Sequence, residues 1–120
     1  MRILIAEDHP DNRDMLMRRL QRKGYDVHIA VNGREAVDMA HACEPDLILM
    51  DLSMPEMCGL EATRVIRRSD LVKDVKIIAL TAHAMEGAHR ECQEAGCDDF
   101  ATKPVDFARL LAQIAKHGIS

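Results

Sequence analysis

The chain has 120 residues, 48% of them hydrophobic and 30% charged, with six glycines and four prolines. That length and balance allow one domain with one core and exclude disordered or fibrous classes. A net charge of −4 argues against direct nucleic-acid binding, and the longest apolar runs, about five residues against the ~20 that span a bilayer, exclude a membrane helix.

The elements follow in a steady beat. "ILIA" (3–6) is short, continuous and β-rich, as in a strand covered on both faces. "PDNRDMLMRRLQRK" (10–23) is helical, opened by Pro10 and stopped by Gly24. Its Arg18, Arg19, Arg22 and Lys23 read as a solvated face. "VHIAV" (27–31) alternates, with Val27, Ile29 and Val31 on one side. "GREAVDMAHAC" (33–43) carries a stripe of Ala36, Val37 and Ala40 and ends before Pro45. "LILM" (47–50) is a second continuous strand, and "GLEATRVIRR" (59–68) a helix with Ala62, Val65 and Ile66 inward. "IIAL" (77–80) is the third continuous strand. "AMEGAHRECQEAG" (84–96) presents Met85, Ala88, Cys92 and Ala95 and stops at Gly96. "DFA" (99–101) is short and mixed. "DFARLLAQIAK" (106–116) closes the chain with Phe107, Leu110, Leu111 and Ile114 at i, i+3, i+4, i+7.

Five β-α alternations imply an α/β fold with one parallel sheet and helices on both faces. The three continuous runs belong at its centre, with the second and fifth strands at its edges. The order 2-1-3-4-5 satisfies this, as do other orders with the same edges. In that order the topological switch point lies between the first and third strands, and ligands bind beyond the strands' carboxyl ends. Cys43, Cys58, Cys92 and Cys97 lack CxxC spacing and no secretory signal precedes them. Free thiols in a reducing cytoplasm are expected, rather than a disulfide framework or a zinc site.

The strand ends carry the chemistry. Glu7 and Asp8 follow the first strand, Asp51 the third, Thr81 the fourth, and Lys103-Pro104 comes after the fifth. Three acids gathered at one edge repel, and a hard divalent cation such as Mg²⁺ removes the conflict. Carboxylates attack phosphorus to give aspartyl phosphates, a transfer that rests on positioning and charge stabilisation. Asp51 is the candidate nucleophile, with Lys103 and Thr81 able to contact the incoming group. Taken singly, each has a plainer explanation. Asp51 reads as a turn cap, Glu7-Asp8 as a helix cap, Thr81 as a loop hydroxyl, Lys103 as a surface lysine, and Phe100 as an edge-strand core residue. His9, His28, His41, His89 and His117 read as surface residues, while Met50, Met54, Met57, Met85, Tyr25 and Phe107 read as packing.

Four motifs in order, "EDH" (7–9), "LMDLSMPEMCG" (49–59), "ALTAHAM" (79–85) and "GCDDFATKP" (96–104), make the chain resemble the response-regulator receiver domains of two-component signalling and phosphorelays. The resemblance runs from residue 2 to 116 and is nearest in style to single-domain regulators and receivers of hybrid kinases. It implies one receiver domain over residues 1–120 with a flavodoxin-like sheet ordered 2-1-3-4-5. Asp51 would accept a phosphoryl group from a phosphohistidine on a histidine kinase or histidine phosphotransfer protein. Asp8, Asp51 and the backbone carbonyl of Ser53 would bind Mg²⁺, with Glu7 helping through water. Lys103 would contact the phosphoryl group, ahead of a cis peptide to Pro104. Thr81 would take a phosphoryl oxygen, and Phe100 would turn inward behind it as the aromatic switch. Pro55, Gly59, Ala82 and His83 fall at loop positions that shape or tune the site. A downstream protein partner would bind the face made by the fourth helix, fifth strand and fifth helix.

The same resemblance implies a cytoplasmic signalling protein that is no enzyme beyond assisting its own phosphorylation and dephosphorylation, with no direct nucleic-acid or membrane contact. Two positions depart from the pattern. Cys58 stands where Asp is frequent, and Phe100 lacks the hydroxyl of the commoner Tyr. An aspartate-based phosphatase needs a second acid two residues after the nucleophile, where this chain has Ser53. A flavodoxin-type redox protein needs a hydroxyl- and glycine-rich loop where this chain has "AEDHPD". A docking module on the same fold, acting without phosphorylation, remains the alternative. The chain reads equally as a free-standing regulator or as the receiver of a larger protein.

Overall fold

The computed structural model describes residues 1–82 and 86–117, with side chains 86–89 left aside. Five strands, β1 (Arg2–Ala6), β2 (Asp26–Ala30), β3 (Leu47–Asp51), β4 (Lys76–Thr81) and β5 (Asp99–Thr102), form one parallel sheet ordered β2-β1-β3-β4-β5. Helices α1 (Pro10–Arg22), α2 (Gly33–Cys43), α3 (Gly59–Arg68), α4 (Glu86–Ala95) and α5 (Phe107–His117) connect and follow them. This is one of the orders open to the sequence, and it places the three continuous apolar strands at the centre. Their residues are buried on both faces apart from the exposed first residues of β1 and β4.

Strand alternation sorts the core into two layers. Ile3, Ile5, Leu47, Leu49, Ile78 and Leu80 face Leu16 and Leu20 of α1 and Leu110 and Ile114 of α5. Leu4, Ala6, Ile48, Met50 and Ile77 face Ala36 and Ala40 of α2 and Ala62 and Ile66 of α3. Tyr25, Phe107 and Leu111 pack half-buried against the first layer. Of the α4 stripe, Cys92 and Ala95 are buried, while Met85 and the Ala88 side chain lie outside the described residues.

Helix ends depart from expectation in two places. Pro10 does open α1, but the N-cap is His9, which makes no side-chain capping bond, so neither Glu7 nor Asp8 caps the helix. Asn32 caps α2 by accepting from the Glu35 N–H at 2.7 Å, and Glu35 Oε1 accepts the Val31 N–H at 3.3 Å. That reciprocal pair stops β2 one residue before Val31, which is 38% exposed rather than part of the strand. At the far end of α4 the N–H of Cys97 returns to the carbonyl of Cys92 and that of Gly96 to Gln93, with Gly96 at φ 108°. This left-handed C-terminal turn explains the glycine.

One side chain ties the loops together. Arg67 of α3 donates to the carbonyls of Gly96, Lys73 and Val75 and to the Asp98 carboxylate, which also accepts the Ile77 N–H. Among the described residues, no helix is long and apolar enough to cross a membrane.

Candidate functional site

The order β2-β1-β3-β4-β5 puts the ends of β1, β3 and β4 side by side. Glu7 follows β1 fully buried, Asp51 ends β3 at 2% exposure, and Thr81 ends β4 at 3%. Asp8, one residue on, is exposed. Carboxylate oxygens of Glu7, Asp8 and Asp51 lie within 4.8 Å of one another. Lys103 comes in just after β5, and its Nζ sits 2.9 Å from both Glu7 Oε1 and Asp51 Oδ2. The remaining Asp51 oxygen, Oδ1, accepts the Ser53 N–H at 3.1 Å.

This crowding divides the two buried acids. Burial and the adjoining Asp51 push Glu7 up to about 7. Burial also works against charge on Asp51. Hydrogen bonds from Glu7, Lys103 and the Ser53 N–H outweigh it, and hold Asp51 below its ordinary value. Lys103 is raised, because its two carboxylate partners overcome its own burial. Of the two, Glu7 is thus the acid inclined to hold a proton and Asp51 the one inclined to stay charged.

The donor set suits a small hard cation. Three carboxylates within reach of a single ion and an exposed side for water match the oxygen chemistry of Mg²⁺. Glu7 Oε2 is moreover buried without a hydrogen-bond partner from any donor group. Such an oxygen is costly unless a cation, a water or a proton shared with Asp51 meets it.

The loop after β3 is shaped by close packing. Gly59 opens α3 against the end of β3, where a Cβ would fall 2.2 Å from the Asp51 carbonyl oxygen. Its N–H returns to Leu52, that of Met57 to Pro55, and Glu56 turns the chain at φ 66°. Ser53, Pro55 and Cys58 are exposed in this loop, and Cys58 makes no side-chain cap. Ala82 is exposed beyond Thr81, while His83 lies outside the described residues. The Lys103–Pro104 peptide is cis.

Phe100 is half-buried on β5. The register pairs Ala79 with Phe100 and Thr81 with Thr102, so Phe100 and Thr81 lie on the same face of the sheet, one pleat repeat apart. Its N–H donates to Asp99 Oδ1 at 2.9 Å and its carbonyl accepts Gln113 Nε2 at 2.8 Å. Arg13 was not singled out by sequence. It donates to the carbonyls of Glu7 and Asp8 at 3.2 and 3.4 Å and pins the turn that carries both acids. An arginine one turn into an amphipathic helix carries no motif that would have marked it. A cleft of about 550 Å³ adjoins the site, floored by Leu16 and Leu80 and sharing Glu7 and Lys103 with it.

Comparison with known proteins agrees with this geometry. The family model for the response regulator receiver domain matches residues 3–115. Hybrid signal transduction histidine kinase G of Dictyostelium discoideum is 40% identical over 121 residues, covering 98% of this chain but only 4% of that protein. The polar-differentiation response regulator DivK of Brucella anthropi is 34% identical over 115 residues, covering 96% and 94%. Among solved structures, the receiver domain of sensor histidine kinase PA1611 from Pseudomonas aeruginosa PAO1, with a magnesium ion in its active-site cleft, superposes with TM-score 0.88. It is 37% identical and covers 96% of this chain and 94% of that one. The Saccharomyces cerevisiae co-crystal of the phosphotransfer protein Ypd1 with the Ssk1 receiver domain matches at TM-score 0.91 and 32% identity, covering 98% and 88%.

Proposed function

The chain belongs to the response regulator receiver domain family, and from that premise we propose that Asp51 accepts a phosphoryl group from a phosphohistidine on a kinase or phosphotransfer protein. Receiver domains are in general signalling modules rather than enzymes, take phosphoryl groups, bind Mg²⁺ at an acidic pocket and interact with such partners. The observation that carries the reading is the state of Asp51. It is a buried carboxylate kept ionised by Lys103 and the Ser53 N–H, on a rigid strand end beside two more acids.

In the proposed reaction an Asp51 oxygen attacks phosphorus, the P–N bond to the donor imidazole breaks, and the bonding pair leaves on nitrogen. The Ser53 N–H holds the other oxygen and so orients the nucleophile. Lys103 passes from the Asp51 carboxylate to the phosphoryl oxygens, and the Thr81 hydroxyl takes another of them. Asp8, Asp51 and the Ser53 carbonyl, supported by Glu7, would hold Mg²⁺, which when bound neutralises charge on the transferring group. Phe100 follows Thr81 inward, and the face of α4, β5 and α5 changes for a downstream protein. Residues 1–120 act as one receiver unit, in the cytoplasm.

Intact mass after incubation with acetyl phosphate, with and without Mg²⁺, tests this. A Mg²⁺-dependent phosphoryl adduct is expected on the wild type and none on Asp51→Asn. A folded, Mg²⁺-binding wild type that takes no adduct would replace the reading with that of a docking module acting without phosphorylation.

A further inference from the structure

The sheet has two edges, and they are finished differently. In the β1–β2 ladder the Asp26 N–H reaches the Met1 carbonyl and the Ala30 carbonyl accepts the Glu7 N–H. Residues 26, 28 and 30 therefore bond inward, and the peptide groups of Val27, Ile29 and Val31 point out from the edge. Glu35 takes the Val31 N–H. Among the described residues, the outward N–H and C=O of Val27 and Ile29 have no partner. Val27, His28 and Ile29 are each half-buried, Val27 and Ile29 against the layer that α1 covers, while the outward peptide groups of both stay unpaired among the described residues.

At the opposite edge the outward peptide groups of Phe100 are taken by Asp99 Oδ1 and Gln113 Nε2. His117, one turn along α5 from Gln113, holds the other Asp99 oxygen at 3.0 Å. Side chains thus occupy the middle of the β5 edge and leave β2 as the edge able to accept a strand.

We propose that the β2 edge is an interface with a second copy of this chain, formed by antiparallel β2–β2 pairing about a two-fold axis at His28. The spacing is self-complementary. With His28 opposite His28, Val27 of each copy meets Ile29 of the other, and the four outward peptide groups in each copy make four hydrogen bonds between the copies. Asp26 of one copy faces Ala30 of the other, so no two carboxylates come opposite. The product is one sheet ended on both sides by β5. Assembly closes at two, because each copy spends its one open edge. This inference is independent of phosphoryl chemistry.

Sedimentation of the full chain across a wide concentration range tests it. The average mass should rise from monomer toward dimer, and the Val27 and Ile29 amides should exchange more slowly at the high end. Ile29→Pro removes an outward N–H that the native ladder does not use, and should weaken the dimer about tenfold or more by deleting two of the four bonds. His28→Lys places like charges opposite each other. It should weaken the dimer severalfold, and it covers the case in which the proline variant misfolds. A mass fixed at the monomer value at all concentrations, or a dimer that survives both substitutions, overturns the proposal.

Discussion

Glu7 and Asp51 are neighbouring buried carboxyls of one chemical type, yet only Asp51 is held in its charged form. What separates them is the number of donors each meets. Asp51 receives the Glu7 carboxyl, Lys103 and a backbone N–H, while Glu7 receives Lys103 alone and meets the Asp51 carboxylate beside it. A different residue-scale balance operates at Asp99. Burial disfavours its charge, but the Phe100 N–H, His117 and Gln113 outweigh that and lower it from its ordinary value. A carboxyl whose folded value is depressed stabilises the fold above its unfolded value of about 3.9 and loses that contribution as pH falls through the folded value. Asp99→Asn should therefore lower stability at pH 7 by less than about 1 kcal/mol, since the group is partly solvated. Paired denaturant titrations at pH 7 and at successively lower pH check this, and the gap between the two proteins should shrink as pH falls.

At the scale of elements, the sensitive junction is where β3 passes into α3. A methyl on Gly59 would meet backbone, not a movable side chain end. Gly59→Ala should destabilise the domain on the order of 2–4 kcal/mol in urea unfolding. It should also slow phosphorylation, because the helix can move only by displacing the Asp51 backbone. The elements themselves were legible in sequence. Continuous runs gave central strands, stripes at helical spacing gave the inward faces, and the residues after each strand gave Glu7, Asp8, Asp51, Thr81 and Lys103 as neighbours. The illegible parts are those set by tertiary contact. Nothing in "RVIRR" shows that Arg67 reaches four groups on two loops, and Glu7-Asp8 ahead of Pro10 reads as a cap until the structure buries Glu7 at the site and leaves Asp8 exposed beside it. Asn32 carried a local signal, a cap with a glutamate three residues on, that could have placed the start of α2 and the end of β2.

For the whole molecule, ion binding and folding should be linked, because the three acids come together only in the folded sheet. A ligand at a hundredfold excess over its Kd adds about 2.7 kcal/mol of stability. For a domain of this size that is a rise in Tm of roughly 10 °C. Thermal melts with and without Mg²⁺ should show it in the wild type and not in Asp8→Asn, whose fold should be intact because that side chain is exposed. Equal shifts in both proteins would remove Asp8 from the ion's ligands.

The two core layers are unequal in grain. On the α1 and α5 side the helices meet the sheet through leucines and an isoleucine, and on the α2 and α3 side largely through Ala36, Ala40 and Ala62, each fully buried. Long flexible side chains can exchange volume with one another, whereas an alanine wedged between helix and strand has no smaller neighbour to compensate for its growth. Under drift the two halves of the domain should then age differently. The leucine side can wander among apolar residues of similar size while the alanine side stays nearly frozen, so the sheet is also a boundary between a permissive and a restrictive half of the sequence.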